Sequence, residues 1–167
     1  MDLAKQVDPK EIIAFLDVST FGDDNQAFRG GCLITDRRTH PLEFRMTSPI
    51  EPTPLQTILY GKTLKSYVSI DLIVVPLLEV IKTQPVIILI RSSIFLMARP
   101  QARMPMVLVS TSEDGKVQFQ SHKSFAEDQQ LLPSYLHKVK KEFILEPFMR
   151  IQSALKEAHH NQVGNLG

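Results

Sequence analysis

An unbroken apolar run at residues 86–90, VIILI, constrains the fold of this chain more than any other feature. Such a run suits a β-strand covered on both faces, because no alternate position is left for water. A second run at residues 12–18, IIAFLDV, has the same character apart from Asp17. We therefore expect both strands in the centre of a sheet with a helical layer packed on it.

The residues between these runs have the pattern of a helical crossover from about 53 to 82. Thr53 followed by Pro54 is a good helix start, because the hydroxyl accepts from free amides and proline suits the first helical position. Gly61 predicts a break or a close backbone contact. Pro76 predicts a kink or a new first turn. Three apolar residues of the first turns fall on one face: Leu55, Ile58 and Leu59.

Further strands and one helix complete the predicted fold. Residues 28–35 and 42–47 follow the first strand as an antiparallel meander, and the Gly30-Gly31 pair within it suggests a bulge or a close approach of another backbone. Asp114-Gly115 predicts a hairpin between 106–110 and 116–120. The fold class is thus α/β (α+β), a single mixed sheet of five to six strands with a C-terminal helix. The last predicted elements are that helix at 133–156 and a flexible tail at 157–167.

Composition indicates one ordinary globular domain, here residues 1–156. The chain has 167 residues, 43% of them hydrophobic and 22% charged, and a formal net charge of +1, which gives no global attraction to nucleic acid or anionic lipid. Its single cysteine, Cys32, fits a reducing compartment and a buried position on a strand. The acidic N-terminal segment is unlike a signal peptide, so we expect a cytoplasmic protein.

The order of elements from Ile12 to Ile90, three antiparallel strands, a helix and a strand parallel to the first, resembles the ribonuclease H-like superfamily and the front half of endonuclease V. The resemblance implies Mg²⁺ held between carboxylates at the ends of the two central strands and on a helix. Asp17 is the candidate metal ligand and catalytic residue. Arg91 occupies the position of the second carboxylate, where its guanidinium would pair with Asp17 and compete with a cation. The alternative is that Asp17 pairs with Arg91 or caps a turn.

Other polar clusters suggest no chemistry. Asp23-Asp24 reads as a solvated turn, and Tyr60-Gly61-Lys62 reads as surface packing. We expect the His159-His160 pair in the fraying tail to be unstructured, because no third ligand lies at metal-like spacing. The nucleophile-elbow, Walker and dinucleotide-binding patterns do not occur in the sequence.

Two groups of residues are candidate binding surfaces. One is basic, and separate solvated faces are its alternative; its members are Arg91, Arg99, Arg103, Lys138, Lys140 and Lys141. The other is an apolar run in a connecting segment, which would bind a protein partner if exposed and would cap the sheet if buried; its members are Ile94, Phe95, Leu96 and Met97.

The missing carboxylates favour a non-catalytic subunit or adaptor of a larger assembly, with nucleic-acid processing as one such setting. Such a subunit would dock a protein partner through residues 91–105 or the C-terminal helix and would need no cofactor. The alternative is a metal-dependent nuclease of the ribonuclease H-like type that acts on DNA or RNA and uses Mg²⁺ at Asp17.

Overall fold

The computed structural model of the protein describes residues 7–136 and 141–161 and contains one six-stranded mixed sheet. The strands are β1 (Ile13–Phe21), β2 (Ala27–Thr35), β3 (Pro41–Met46), β4 (Ile87–Ile90), β5 (Met106–Thr111) and β6 (Val117–Ser121). Their order across the sheet is β3-β2-β1-β4-β5-β6. β1, β4 and β5 are parallel, and the other neighbouring strands are antiparallel. The predicted fold class, the meander, the hairpin and the two central strands are confirmed.

Helices cover both faces of this sheet. They are α1 (Pro54–Tyr60), α2 (Leu64–Ser66), α3 (Val75–Val80), α4 (Asp128–Leu136) and α5 (Lys141–His160). Short 3-10 segments lie at Pro9–Glu11, Gly61–Thr63, Ser93–Gln101 and Lys123–Phe125, and a π-helical segment at Tyr67–Val74 joins α2 to α3. Within the described residues, no helix is long and apolar enough to cross a membrane.

Alternate residues of β1 point into two core clusters. Ala14 and Leu16 pack toward the helical crossover, whereas Ile13 and Phe15 pack toward α5. The aromatic rings of Phe15 and Phe148 of α5 meet edge to face, with 5.5 Å between their centroids. The face that a β1 side chain occupies therefore decides which helical layer it contacts.

The crossover is π-helical immediately before Pro76. The amide of Val75 donates to the carbonyl of Ile70, a step of five residues, and Pro76 then stands in the first turn of α3. Since proline has no amide hydrogen and crowds the preceding turn, a regular helix could not pass through it unchanged. The prediction of a new first turn at Pro76 is confirmed.

The glycine pair of β2 lies where both helical layers touch the strand. A Cβ at Gly30 would overlap the side chain of Ile73, and one at Gly31 would come within 2.9 Å of Ile151. The close neighbours are thus side chains of the two layers rather than another backbone. The register shift between β2 and β3 lies at Ile34/Thr35, away from the glycines, so the predicted bulge is misplaced.

Two helical predictions need correction. The helix predicted at 133–156 is helical in both of its described parts, at Asp128–Leu136 and Lys141–His160, while residues 137–140 lie outside the described chain; it begins earlier and ends later than predicted, so the predicted tail begins inside α5. The helices predicted at 53–82 were expected to pack on the sheet, but α1 buries none of its residues. The predicted helix start at Thr53 and the break at Gly61 are both confirmed, since Thr53 forms a capping box with Gln56 and Gly61 ends α1.

Candidate functional site

The candidate site lies where the parallel strands β1 and β4 end at different heights. β4 stops at Ile90, which pairs with Leu16, while β1 continues to Phe21. Asp17 is therefore in the middle of its strand rather than at the predicted end, but it is level with Arg91, the first residue after β4. In open α/β sheets the carboxyl ends of parallel strands are the usual place for ligands.

The guanidinium of Arg91 binds the carboxylate of Asp17. The Nε and Nη2 atoms of Arg91 lie 2.9 and 2.8 Å from Oδ2 of Asp17, and the amide of Val18 donates to Oδ1 at 3.0 Å. The Arg91 guanidinium also lies 5.5 Å from the centre of the Phe148 ring. The pair is thus held between the sheet and α5.

Burial dominates the electrostatics of this pair. Asp17 is 4% exposed, and its desolvation raises the pKa of its carboxyl group. The charge of Arg91 and the hydrogen bonds from Val18 and Arg91 lower that pKa, but they offset only part of the effect of burial. The Arg91 side chain is 32% exposed, so one partner keeps contact with water.

These residues do not fit a magnesium site. A cation at the second strand end repels Mg²⁺ and takes the oxygen that the metal would need. Two acids near the crossover, Glu51 and Asp71, are exposed. Among residues 7–136 and 141–161, no group of three or more His, Cys, Asp or Glu side chains could hold a metal ion.

A second polar contact lies further along the same face of the sheet. Arg29 of β2 is fully buried, and its Nε donates to Nδ1 of His159 at 3.1 Å. The His159 ring stacks on Phe21 with 4.3 Å between centroids and 11° between planes. The prediction that the His159-His160 pair is unstructured is therefore wrong, because α5 carries His159 into the domain.

The two polar contacts have different partners. Arg29 pairs with Ser19 across the sheet, and Ser19 lies two residues beyond Asp17 on β1, which corresponds to about 7 Å along a strand. His159 also uses Nδ1 to accept from Arg29, so that nitrogen is not available as a ligand. Asp23 and Asp24 are exposed in the turn between β1 and β2, as predicted.

Two of the three described arginines of the predicted basic surface bind acidic partners, and the surface as a whole stays a prediction. Arg99 binds the buried Asp128 through Nε and Nη2 and stacks on Phe125, with its Cζ 3.9 Å from the ring centre. Arg91 is bound to Asp17. Arg103 is exposed. Lys138, Lys140 and the side chain of Lys141 lie outside the described part of the chain.

The predicted partner-binding run is mostly buried. Phe95 and Leu96 belong to the core cluster on the crossover face, and Ile94 packs against it. Only Met97 is largely exposed. The burial of Phe95 and Leu96 agrees with the alternative that the run caps the sheet, and docking through the exposed Met97 stays a prediction.

The exposure of the apolar face of α1 was not predicted from the sequence. Leu55, Ile58 and Leu59 are among the most exposed large apolar residues of the described chain. The available signal was the absence of any charged residue from Pro52 to Gly61. Beside α1 lies a cleft of about 560 Å³, lined by Asp24, Asn25, Gln26, Phe28, Pro52, Pro54, Thr57, Ile58 and Leu64.

Comparison with solved structures finds similarity to endonuclease V from Ciona intestinalis. One such structure holds a 23-mer DNA that contains an inosine followed by a ribo-adenosine; it is 12% identical with a TM-score of 0.45 and matches 86% of this chain and 56% of that one. Another, with a 24-mer DNA of the same kind, is 14% identical with a TM-score of 0.44 and matches 74% of this chain and 56% of that one. The chain thus spans little more than half the length of these proteins.

No protein-family model and no curated protein matches the chain. At the identities and TM-scores found, the similarity to endonuclease V carries no conclusion about activity.

Proposed function

We propose that the protein is a non-catalytic subunit of a larger assembly and that Asp17 and Arg91 stabilise the centre of its sheet. The observation that carries this proposal is the guanidinium bound to the buried carboxylate, at the point where a metal-dependent nuclease would need a free carboxylate. A paired aspartate neither activates water nor holds a divalent cation without first losing its arginine.

A nuclease panel tests the absence of catalysis. The purified protein is incubated with single-stranded and double-stranded DNA, RNA and inosine-containing DNA, with Mg²⁺ or Mn²⁺. We expect no cleavage above that of Asp17→Asn. Metal-dependent cleavage that Asp17→Asn abolishes while far-UV circular dichroism stays unchanged would establish the nuclease alternative instead.

Variants of Arg91 sharpen the comparison. If Arg91 merely blocks a latent metal site, Arg91→Gln should gain metal-dependent cleavage. If the pair is structural, Arg91→Gln should lose stability and gain no activity. Arg103→Gln is the matched control, because it removes the same charge from an exposed position on the connection after β4.

The assembly is tested by purifying the tagged protein from its native host at low salt. A stoichiometric protein partner that remains after nuclease treatment is the expected result. Recovery of nucleic acid alone would contradict the subunit proposal.

A further inference from the structure

We infer that Tyr60 and Tyr67 form an oxidative modification site, at which a haem peroxidase and hydrogen peroxide join the two rings into a dityrosine within one chain. The site lies on the helical crossover and uses none of the residues around Asp17, so the inference does not rest on the proposed function. It starts from the contact between the two rings, whose centroids are 4.3 Å apart and whose planes are inclined by 12°.

The contact depends on the break in the crossover at Gly61. Residues seven apart in a regular α-helix are separated by about 10.5 Å along its axis. Tyr60 ends α1 and Tyr67 begins the π-helical segment, and between them Gly61 has φ 53° and ψ −127°, outside the helical region. Residues with a side chain rarely adopt that conformation. The glycine therefore allows the chain to bring the two rings together.

The hydroxyl groups lie at the same end of the stacked pair. A hydrogen bond with Tyr67 raises the pKa of Tyr60, and burial and the charges of Tyr67 and Asp71 raise it further. Oxidised phenols couple through the ring carbons next to the hydroxyl group, the Cε atoms. In two nearly parallel rings whose hydroxyls meet, these carbons lie close together. The pair therefore already holds the atoms of the new bond near each other.

The coupling is a two-electron oxidation. Each ring loses one electron and its phenolic proton and becomes a phenoxyl radical. The two radicals then form a bond between one Cε atom of each ring, and the proton on each of these carbons passes to a phenol oxygen, which restores both aromatic hydroxyls. The pair thus loses two electrons and two protons, and hydrogen peroxide takes up both and becomes two molecules of water. Both tyrosines are partly exposed, so the folded protein can undergo this reaction.

The new bond would connect an exposed helix to the core. α1 buries none of its residues, whereas the π-helical segment buries several, including Val68 and Ile73. A covalent link restricts the conformations of the chain between its ends. Oxidation of Tyr60 and Tyr67 therefore fixes α1 relative to the segment that packs on the sheet.

Peroxidase treatment of the full chain at micromolar concentration, with limiting hydrogen peroxide, tests the inference. Groups joined by a short segment have an effective concentration on the order of millimolar, so coupling within a chain should exceed coupling between chains by at least about a hundredfold. We expect dityrosine fluorescence in a band that migrates as a monomer on a denaturing gel, and a mass lower by two hydrogen atoms. Trypsin cleaves after Lys62 and Lys65, between the two tyrosines, so a covalent link between the resulting peptides identifies the pair.

Three variants provide the controls. Tyr67→Phe should lose the product, because phenylalanine has no hydroxyl to oxidise. Tyr135→Phe is the matched control and should keep it, since Tyr135 is the third tyrosine of the chain and belongs to α4. Gly61→Ala keeps every tyrosine but disfavours the break, so its yield should fall several-fold. The inference is overturned if the wild-type protein forms no dityrosine or links Tyr135 instead, if the product survives in Tyr67→Phe, or if Gly61→Ala leaves the yield unchanged.

Discussion

Replacement of Asp17 by asparagine should lower the free energy of unfolding by about 2–3 kcal/mol. The loss of one member of a fully buried ion pair typically costs about 3–5 kcal/mol, and the partial exposure of Arg91 reduces that figure because water replaces some of the lost interaction. For a chain of this length, the melting temperature should fall by roughly 4–12 °C.

A double-mutant cycle assigns that loss to the contact itself. Asp17→Asn and Arg91→Met are compared singly and together, and the coupling energy should be about 1–3 kcal/mol, because the second substitution removes a partner that is already unpaired. Asp17→Asn combined with Arg103→Met is the control, and there the two effects should add to within about 0.5 kcal/mol.

Urea unfolding followed by far-UV circular dichroism suits this measurement, since the chain has no tryptophan and only three tyrosines to report by fluorescence. The slope of the unfolding free energy against urea should stay constant, so that shifts in the midpoint report stability. Additive effects of Asp17→Asn and Arg91→Met, or an unchanged midpoint in Asp17→Asn, would refute the structural role of the pair.

Three further predictions concern the rest of the fold. Burial raises the pKa of Glu43, but hydrogen bonds from a neighbouring arginine and two backbone amides outweigh it and lower that pKa to about 2. The stability that Glu43→Gln removes should therefore be fully present above about pH 4.5 and shrink as the pH falls toward 2. A stability difference between the wild-type protein and Glu43→Gln that does not change with pH would contradict this. Burial and, to a smaller extent, the charge of Glu43 raise the pKa of the Cys32 thiol to about 12. A thiol reagent should therefore modify Cys32 only as fast as the protein unfolds. Fast labelling of the folded protein would contradict the burial of Cys32. Gly30→Ala should cost about 1–3 kcal/mol through overlap with Ile73, measured by urea unfolding; Ile73→Ala in the same chain should recover part of that loss, and strictly additive costs would disprove the overlap.

The sequence by itself determined the central architecture. The backbone amides and carbonyls of residues 86–90 form hydrogen bonds with neighbouring strands, and the apolar side chains on both faces of this run need other elements to cover them. The place of this strand in the middle of the sheet therefore follows from composition alone. Local backbone chemistry was equally decisive at Thr53, Gly61 and Pro76, where a cap, a left-handed conformation and a missing amide act within a few residues. The pairing of Asp17 with Arg91 was also foreseeable, because the two apolar runs form neighbouring parallel strands and each residue directly follows its run.

Only the tertiary structure decided which apolar and charged side chains have partners. A helix-spaced apolar face predicts burial, yet α1 remains exposed while residues 94–97 are largely buried, because burial depends on which surfaces the rest of the fold brings nearby. The contact between Arg29 and His159 joins positions 130 residues apart. No local pattern encodes such a contact, since it exists only after the sheet has formed and α5 has packed across it.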